Sequence, residues 1–575
     1  MIRIIADNII SPLGATTEEN LAAVRKQESA LKEHRHKGMP EPFVASLFDE
    51  HLPFEEGLIR SIEASVSEAA AKGCCIDPSS GDVVFIISST KGNVHMLEQA
   101  YDASGDACMV PDDERMGYSA QKVAGHFGNG NVPVVVSNAC ISGLSAMITA
   151  GRLIGSGRYA TAIVAGYDVQ SKFIVSGFQS FKAMSPDPCR PFDGDRCGLN
   201  LGEAVASVIM TSRKDCNSGW VMAAGAVNND ASHISNPSRT AEGSVRAIQE
   251  VMQQTGTRAE DITCISAHGT ATLYNDEMEA VALDRTGLAQ VPVFSLKGYY
   301  GHTMGAAGLL ESIITLHAVD EGWIPATRGF AEEGTSRKIN VCGNETEILG
   351  DGKHRKTVLK LLSGFGGCNA AVIFKRDEPD MTSNETRSGI CEKNREEPVL
   401  RKERTFALDS REGVNLTALY KERIGNYPKF YKMDPLCKLG FVVTEMLLEQ
   451  ESAETGRERF TECEDRAVVI CTRNGSLADD ISYVETIADE KEYYPSPAVF
   501  VYTLSNIVTG EIALRNKYFG ETSCFVMDRK DPSAIEMAVA TAFADKRIKS
   551  VVGGWLDYDS DGNFEAEVSV WEIEN

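Results

Sequence analysis

The stretch VVVSNACISG, residues 134–143, runs on into LSAMITAGRLIGSG, residues 144–157. Three valines followed by the polar pair Ser137–Asn138 read as the end of a buried strand. Ile141, Leu144, Ile148 and Ile154 then recur near helical spacing, and Gly155-Ser156-Gly157 supplies the stop. Cys140 therefore falls where a strand hands over to a helix. Unpaired N–H groups and the positive end of the dipole at a helix start favour an anion, which predicts a thiol pKa lowered toward the reactive thiolate. Taken alone the residue still reads as packing, because free cysteine is among the most buried residue types.

Working outward, the runs VVFIIS (83–88), VPVVVS (132–137), TAIVAG (161–166), VPVFSL (291–296) and TVLKLLSGFGG (from 357) alternate with amphipathic helical stretches such as 57–72. That alternation predicts an α/β architecture with mainly parallel sheets. A chain of 575 residues exceeds what one core supports, so two or more units are expected. Its 43% apolar and 24% charged residues are those of an ordinary globular protein. The net charge of −25 argues against nucleic acid as a partner, since that binding relies on Lys and Arg releasing counterions. Fifteen scattered cysteines, with Cys74–Cys75 adjacent and Cys189 and Cys197 unpaired by spacing, predict reduced thiols in a cytoplasmic protein and no metal site. No apolar run reaches membrane-spanning length, and MIRIIADNIISPLG, broken at Asp7 and Asn8, reads as a first strand and not as a signal peptide.

From Arg376 to about Glu403 the sequence is polar and nearly free of large apolar residues, which predicts a linker over 377–403. Beyond it the order of elements starts again. A helical stretch (436–449) leads to VVICTRNGS, which is similar to VVFIISSTKGN at 83–93, and AIEMAVATAFADKRIKSVVGGWLDY parallels LSAMITAGRLIGSGRYATAIVAGYD. Chance likeness of two α/β segments is the competing reading. Aligning Asp168 with Asp557 puts Arg529 opposite Cys140, and all ten histidines lie at or before His354. The second copy has thus lost both the thiol and the imidazoles.

Three further stretches bear on Cys140: CISAHGTATLYNDEMEA with His268, SLKGYYGHTMGAAGLLE with Lys297, His302 and Glu311, and LLSGFGGCNAAVIF with a glycine loop at 364–367. Separately each has a plain explanation, as a structural histidine, an ion pair or a tight bend. Jointly they fit thioester chemistry. Cysteine attack on a thioester followed by carbon–carbon bond formation needs a thiolate, donors for a carbonyl that becomes an enolate, and backbone N–H groups for a tetrahedral oxyanion.

The set NAC, CRPFDGDRCGLNLGEA (189–204), AHGTAT, LKGYYGHTMGAAG and SGFGGCNAAVIF, in that order, resembles the β-ketoacyl-acyl carrier protein synthases of the Cys-His-His type. The resemblance runs from Ile10 to about Phe374. It implies a thiolase-like five-layer αβαβα ketosynthase over 1–376, built of two halves at about 1–210 and 211–376. It implies acyltransferase activity, with Cys140 as the acylated nucleophile and His268 and His302 binding the malonyl thioester carbonyl. Lys297 would hold the histidine network in its charge state with Glu311 as buried partner. The amides of Cys140 and Phe365 would form the oxyanion hole, and Phe365 would gate the acyl pocket. No cofactor is expected beyond the phosphopantetheine arm of the partner, an acyl carrier protein.

Three departures stand out: Cys368 where the family has threonine, no proline after the second threonine of HGTAT, and Ser363 where many relatives carry phenylalanine. Because family dimers form through the N-terminal halves, residues 404–575 are expected to be a degenerate half-thiolase α/β module. It would resemble a truncated chain length factor and pack as a pseudo-dimer partner, as in aryl polyene or type II polyketide systems. A monomeric pseudo-dimer or a higher homo-oligomer would both fit. Fatty-acid elongation is the competing pathway, and a thiolase or a non-catalytic acyl-binding scaffold are the competing classes.

Overall fold

A computed structural model describes residues 1–36, 38–105, 112–216, 219–348, 356–376, 399–489 and 493–574. Its principal strands fall into three sets of five that repeat one order. The first set is β1 (Ile2–Ile10), β2 (Val83–Ser88), β3 (Val134–Val136), β4 (Thr161–Gly166) and β5 (Val205–Thr211), lying side by side as β3-β2-β4-β5-β1. The second is β6 (Trp220–Asn229), β7 (Cys264–Ser266), β8 (Val293–Phe294), β9 (Thr357–Gly364) and β10 (Cys368–Arg376), ordered β8-β7-β9-β10-β6. The third is β11 (Leu400–Asp409), β12 (Arg466–Thr472), β13 (Thr522–Val526), β14 (Ser550–Tyr558) and β15 (Phe564–Ile573), ordered β13-β12-β14-β15-β11.

In every set the second strand pairs in parallel with the third and fourth, while the fifth pairs antiparallel with the fourth and first. The sheets are therefore mixed, which corrects the expectation of mainly parallel pairing. The reason is local: β9 and β10 are joined by the short loop 365–367, and only antiparallel neighbours can be closed by so few residues.

The helices that matter for the site are α1 (Phe54–Ala71), α2 (Ser142–Gly155), α3 (Leu273–Arg285), α4 (Ala307–Asp320), α5 (Pro435–Thr455), α6 (Ile507–Asn516) and α7 (Pro532–Ala542). α2 and α4 pack on each other, and each touches both the first and the second sheet, so they form a middle layer. α1 covers the outer face of the first sheet and helix Glu242–Thr255 that of the second, which gives the five-layer αβαβα stack. Glycines allow the central crossing. A Cβ on Gly308 would lie 2.3 Å from the Leu144 amide nitrogen, and one on Gly143 would lie 2.7 Å from the Gly305 carbonyl oxygen.

The third set joins the first edge to edge, β13 running antiparallel to β3 with Phe525 opposite Val136. The two sets are related by a pseudo-twofold, down to a bulge in each first strand, at Ile4/Ala6 and Lys402/Arg404. The aligned aspartates repeat as well. Asp168 accepts from the Thr90 and Lys91 amides and the Ser89 hydroxyl; Asp557 accepts from the Arg473 and Asn474 amides and the Thr472 hydroxyl. Buried ion pairs cross this junction, Arg152 to Glu521 at 2.7 Å and Lys91 to Asp480 at 2.5 Å. Among the described residues the third set has no second half of its own.

Two further expectations are corrected. β11 begins at Leu400, inside the stretch read as linker: Arg401 and Lys402 belong to an edge strand paired with β15, and charges on an edge strand imitate a linker in the sequence. Residues 377–398 lie outside the described residues. Cys74 and Cys216 form a disulfide, because α1 and β5 run side by side and bring their ends to a Cα–Cα distance of 5.0 Å. The reading of wholly reduced thiols fails for this pair.

Candidate active site

Cys140 lies in a single 3₁₀ turn, Ala139–Ile141, between β3 and α2. Ala139 takes φ +48°, a left-handed conformation unusual outside glycine, so the chain turns sharply before the helix. The second half repeats the device. Met304 at φ +52° opens the turn Met304–Ala306 ahead of α4, and His302 stands two residues before it. The close crossing of α2 and α4 therefore carries the thiol and one imidazole to the same place. His268 arrives from the end of β7.

One cavity of about 270 Å³ is lined by Cys140, His268, His302 and Phe365, with Phe178 and Phe181 beside them. The two imidazole centroids are 5.3 Å apart and the rings nearly perpendicular. Leu273, at the position where a proline was expected, and Tyr274 after it also line the cavity and are exposed, so the cavity reaches solvent there.

Cys140 is 8% exposed. Burial pushes its thiol up to about 12; Lys297 and the amides of Cys140 and Phe365 pull the other way, and Asp168 adds to the rise. The expected lowering at the helix start is thus overturned in the resting protein, because loss of hydration outweighs every favourable neighbour. The two amides that favour the charged sulfur are those expected to form the oxyanion hole.

Both imidazoles are held well below their ordinary pKa, first by burial and then by Lys297 and Lys360, with His302 also acting on His268. His268 Nδ1 and both ring nitrogens of His302 have no hydrogen-bond partner among the described residues. Lys297 donates to the His268 carbonyl at 3.2 Å and pairs with Glu311. The other Glu311 oxygen holds Lys360 at 2.5 Å. Glu279 on α3 accepts from the His268 and Gly269 amides at 2.7 and 2.8 Å, and Asp276 accepts from the Thr270 and Ala271 amides.

Lys360, Glu279 and Asp276 were not singled out in the sequence. The signal for Lys360 was one charge inside an otherwise apolar strand, and for the acids their three-residue spacing at the start of a helix that follows a histidine loop.

The loop 364–367 turns on Gly366 and Gly367, at φ +89° and +73°. Phe365 packs against Phe178 and Phe181 at centroid distances of 6.3 and 5.6 Å. Cys368, buried below, donates its thiol to the Phe365 carbonyl at 3.2 Å, and Ser363 donates to Asn369 at 2.7 Å. The third set reaches this loop directly: Asn506 donates to the Phe365 carbonyl at 2.8 Å, and a Cβ on Gly510 of α6 would come within 2.6 Å of the Gly366 oxygen. Asn138, two residues before Cys140, accepts from the Cys524 amide of β13 at 2.8 Å. Arg529 is exposed.

Known proteins match parts of the chain that include Cys140, His268 and His302. Residues 77–216 match the N-terminal domain of β-ketoacyl synthases and residues 220–331 their C-terminal domain. The chain is 31% identical over 272 residues to the tetracenomycin polyketide synthase ketoacyl synthase alpha subunit of Streptomyces glaucescens, covering 44% of this chain and 63% of that relative. It is also 31% identical over 259 residues to 3-oxoacyl-acyl-carrier-protein synthase 2 of Vibrio cholerae, covering 42% and 62%. The chain thus spans less than two thirds of the length of the curated relatives it matches. In fold, all of this chain superposes on 78% of the PfaC keto synthase-chain length factor, with a TM-score of 0.77 at 13% identity. Over residues 77–331, therefore, the chain is similar to the two domains of the β-ketoacyl synthases.

Proposed function

We propose that the protein is a cytoplasmic 3-oxoacyl-acyl-carrier-protein synthase that extends an acyl chain by decarboxylative Claisen condensation. The observation that carries this is the meeting of one buried thiol, two neutral imidazoles with free ring nitrogens, and two amides aimed at the sulfur in one cavity. In the first half-reaction the Cys140 sulfur attacks an acyl thioester on the carrier arm; the arm leaves as a thiol with the proton that the cysteine gives up. In the second, N–H groups of His268 and His302 hold the malonyl thioester carbonyl while carbon dioxide departs and charge collects on that oxygen. The resulting enolate attacks the Cys140 acyl carbon. The amides of Cys140 and Phe365 hold the oxyanion, and collapse returns the sulfur, which takes up one proton.

Neutral imidazoles suit this role because each donates an N–H without adding a full charge that would stabilise the malonyl carboxylate against loss. Lys297, with Glu311, serves to keep them so. The carrier arm enters past Leu273 and Tyr274.

The third set is read as a chain-length-factor-like module, 404–575, fused to the ketosynthase. Its Phe500 packs on Phe178 and Phe181, two residues of the cavity lining, at 5.6 and 6.2 Å, which is how the module would act on the chain held there. Fusion keeps the two units together at high effective concentration. An aryl polyene or related polyketide pathway fits the active-plus-inactive layout, and primary fatty-acid elongation is the alternative. Incubation of the full chain with malonyl-carrier protein and either octanoyl- or cinnamoyl-carrier protein, with products read by mass spectrometry, tests both levels. A β-ketoacyl product two carbons longer supports the condensation, preference for the cinnamoyl primer supports the pathway, and no product from either primer contradicts the condensation.

A further inference from the structure

Lys360 is fully buried in the middle of β9, among the apolar side chains of TVLKLLSG. A lysine is almost never so placed unless paired, since an apolar residue would fill the strand at no cost in hydration. All three of its N–H donors are used: Ser266 carbonyl at 3.3 Å, Ala267 carbonyl at 3.2 Å and Glu311 Oε2 at 2.5 Å. The next carbonyl along, that of His268, accepts from Lys297. Three consecutive carbonyls leading into the imidazole are therefore held by two ammonium groups, while Glu279 holds the His268 amide from the other side.

The titratable groups around the histidines are Lys360 from β9, Lys297 from the segment before His302, Glu311 from α4 and Glu279 and Asp276 from α3; the first half contributes the uncharged Cys140 thiol, on which Asp168 acts. Glu311 already has Lys297 as a partner, so neutralising that carboxylate does not require Lys360. What the second lysine adds is a second positive charge acting on both rings, one that burial disfavours and its ion pair with Glu311 supports.

We propose that Lys360 is a positioning residue for the histidine pair: it clamps the backbone that delivers His268 and, by its charge, keeps both imidazoles in the neutral donor form. The inference rests on the condensation reading, and its test has one arm that is independent of turnover. Side-chain NMR of the full chain labelled with ¹⁵N-histidine, assigned with His268→Asn and His302→Asn, follows the two rings from pH 5 to 8.5. Removing a like charge at this range raises an imidazole pKa by about one unit or more. Lys360→Met is expected to move both titrations up by at least that amount, and to move the acid limb of malonyl-carrier protein decarboxylation with them.

Lys360→Gln keeps N–H donors without the charge and serves if the methionine variant does not fold; the same upward shift is expected. Titrations and acid limb unmoved in a folded variant, whatever the loss of rate, overturn the proposal, as do wild-type rings that titrate at ordinary imidazole values. A wild-type protein that never decarboxylates malonyl-carrier protein sinks the condensation reading instead, and the NMR arm still decides the role of Lys360.

Discussion

A thiol pushed up to about 12 beside two neutral imidazoles makes a resting site that is poor in charge at the sulfur. Free Cys140 should react only through a small thiolate fraction that grows about tenfold per pH unit. Carbamidomethylation of the Cys140 peptide, followed by mass between pH 7 and 9.5, is expected to keep rising across the range; a plateau near pH 7 would mean a thiolate at rest. Glu311 bridges two buried ammonium groups, so Glu311→Gln strands both and is expected to cost about 3–5 kcal/mol in guanidinium unfolding. The thiol and histidines were legible because each sits in a motif with a turn beside it. The direction of the thiol's pKa was not, since a helix start is visible in sequence whereas the depth of burial comes from chains far away. Lys360 was missed for the same reason: a lone lysine in a strand ordinarily points to water.

At the scale of elements, the site depends on α2 and α4 crossing at Gly143 and Gly308. A methyl group at Gly308 has no room against the Leu144 backbone, so Gly308→Ala is expected to destabilise by about 1–3 kcal/mol and to slow condensation by separating Cys140 from His302. Thermal unfolding alongside single-turnover condensation checks it; full stability and full rate together would remove the crossing from the account. The strands at 83–88 and 161–166 and the helices at 57–72 and 436–449 were readable from apolar runs and helical period. β11, with its exposed charges, was not, because its place is fixed by pairing with β15 and not by its own pattern.

Over the whole molecule, one strand order is used three times, and the third use meets the first across β3 and β13. The likeness of VVICTRNGS to VVFIISSTKGN made this repeat visible, and the Asp168 and Asp557 hydrogen bonds show why those residues persist in both copies: each aspartate ties a turn to the end of its sheet. What the sequence could not reveal is which residues of the third set reach the other unit: Asn506 and Gly510 meet the loop at Phe365 and Gly366, and Phe500 packs on Phe178 and Phe181, behind residues that line the cavity. Phe500→Ala is expected to lengthen the product distribution by at least one two-carbon unit in mass spectra, because it opens the end of the aromatic cluster; unchanged lengths would confine the module to support.

The most direct measurement of the central claim is the intact mass of the full chain after exposure to an acyl-carrier protein, with peptide mapping. The account predicts one acyl group, on Cys140, absent from Cys140→Ala and discharged with carbon dioxide release when malonyl-carrier protein is added. Acylation of another residue, or an acyl-Cys140 that malonyl-carrier protein leaves untouched, would contradict it.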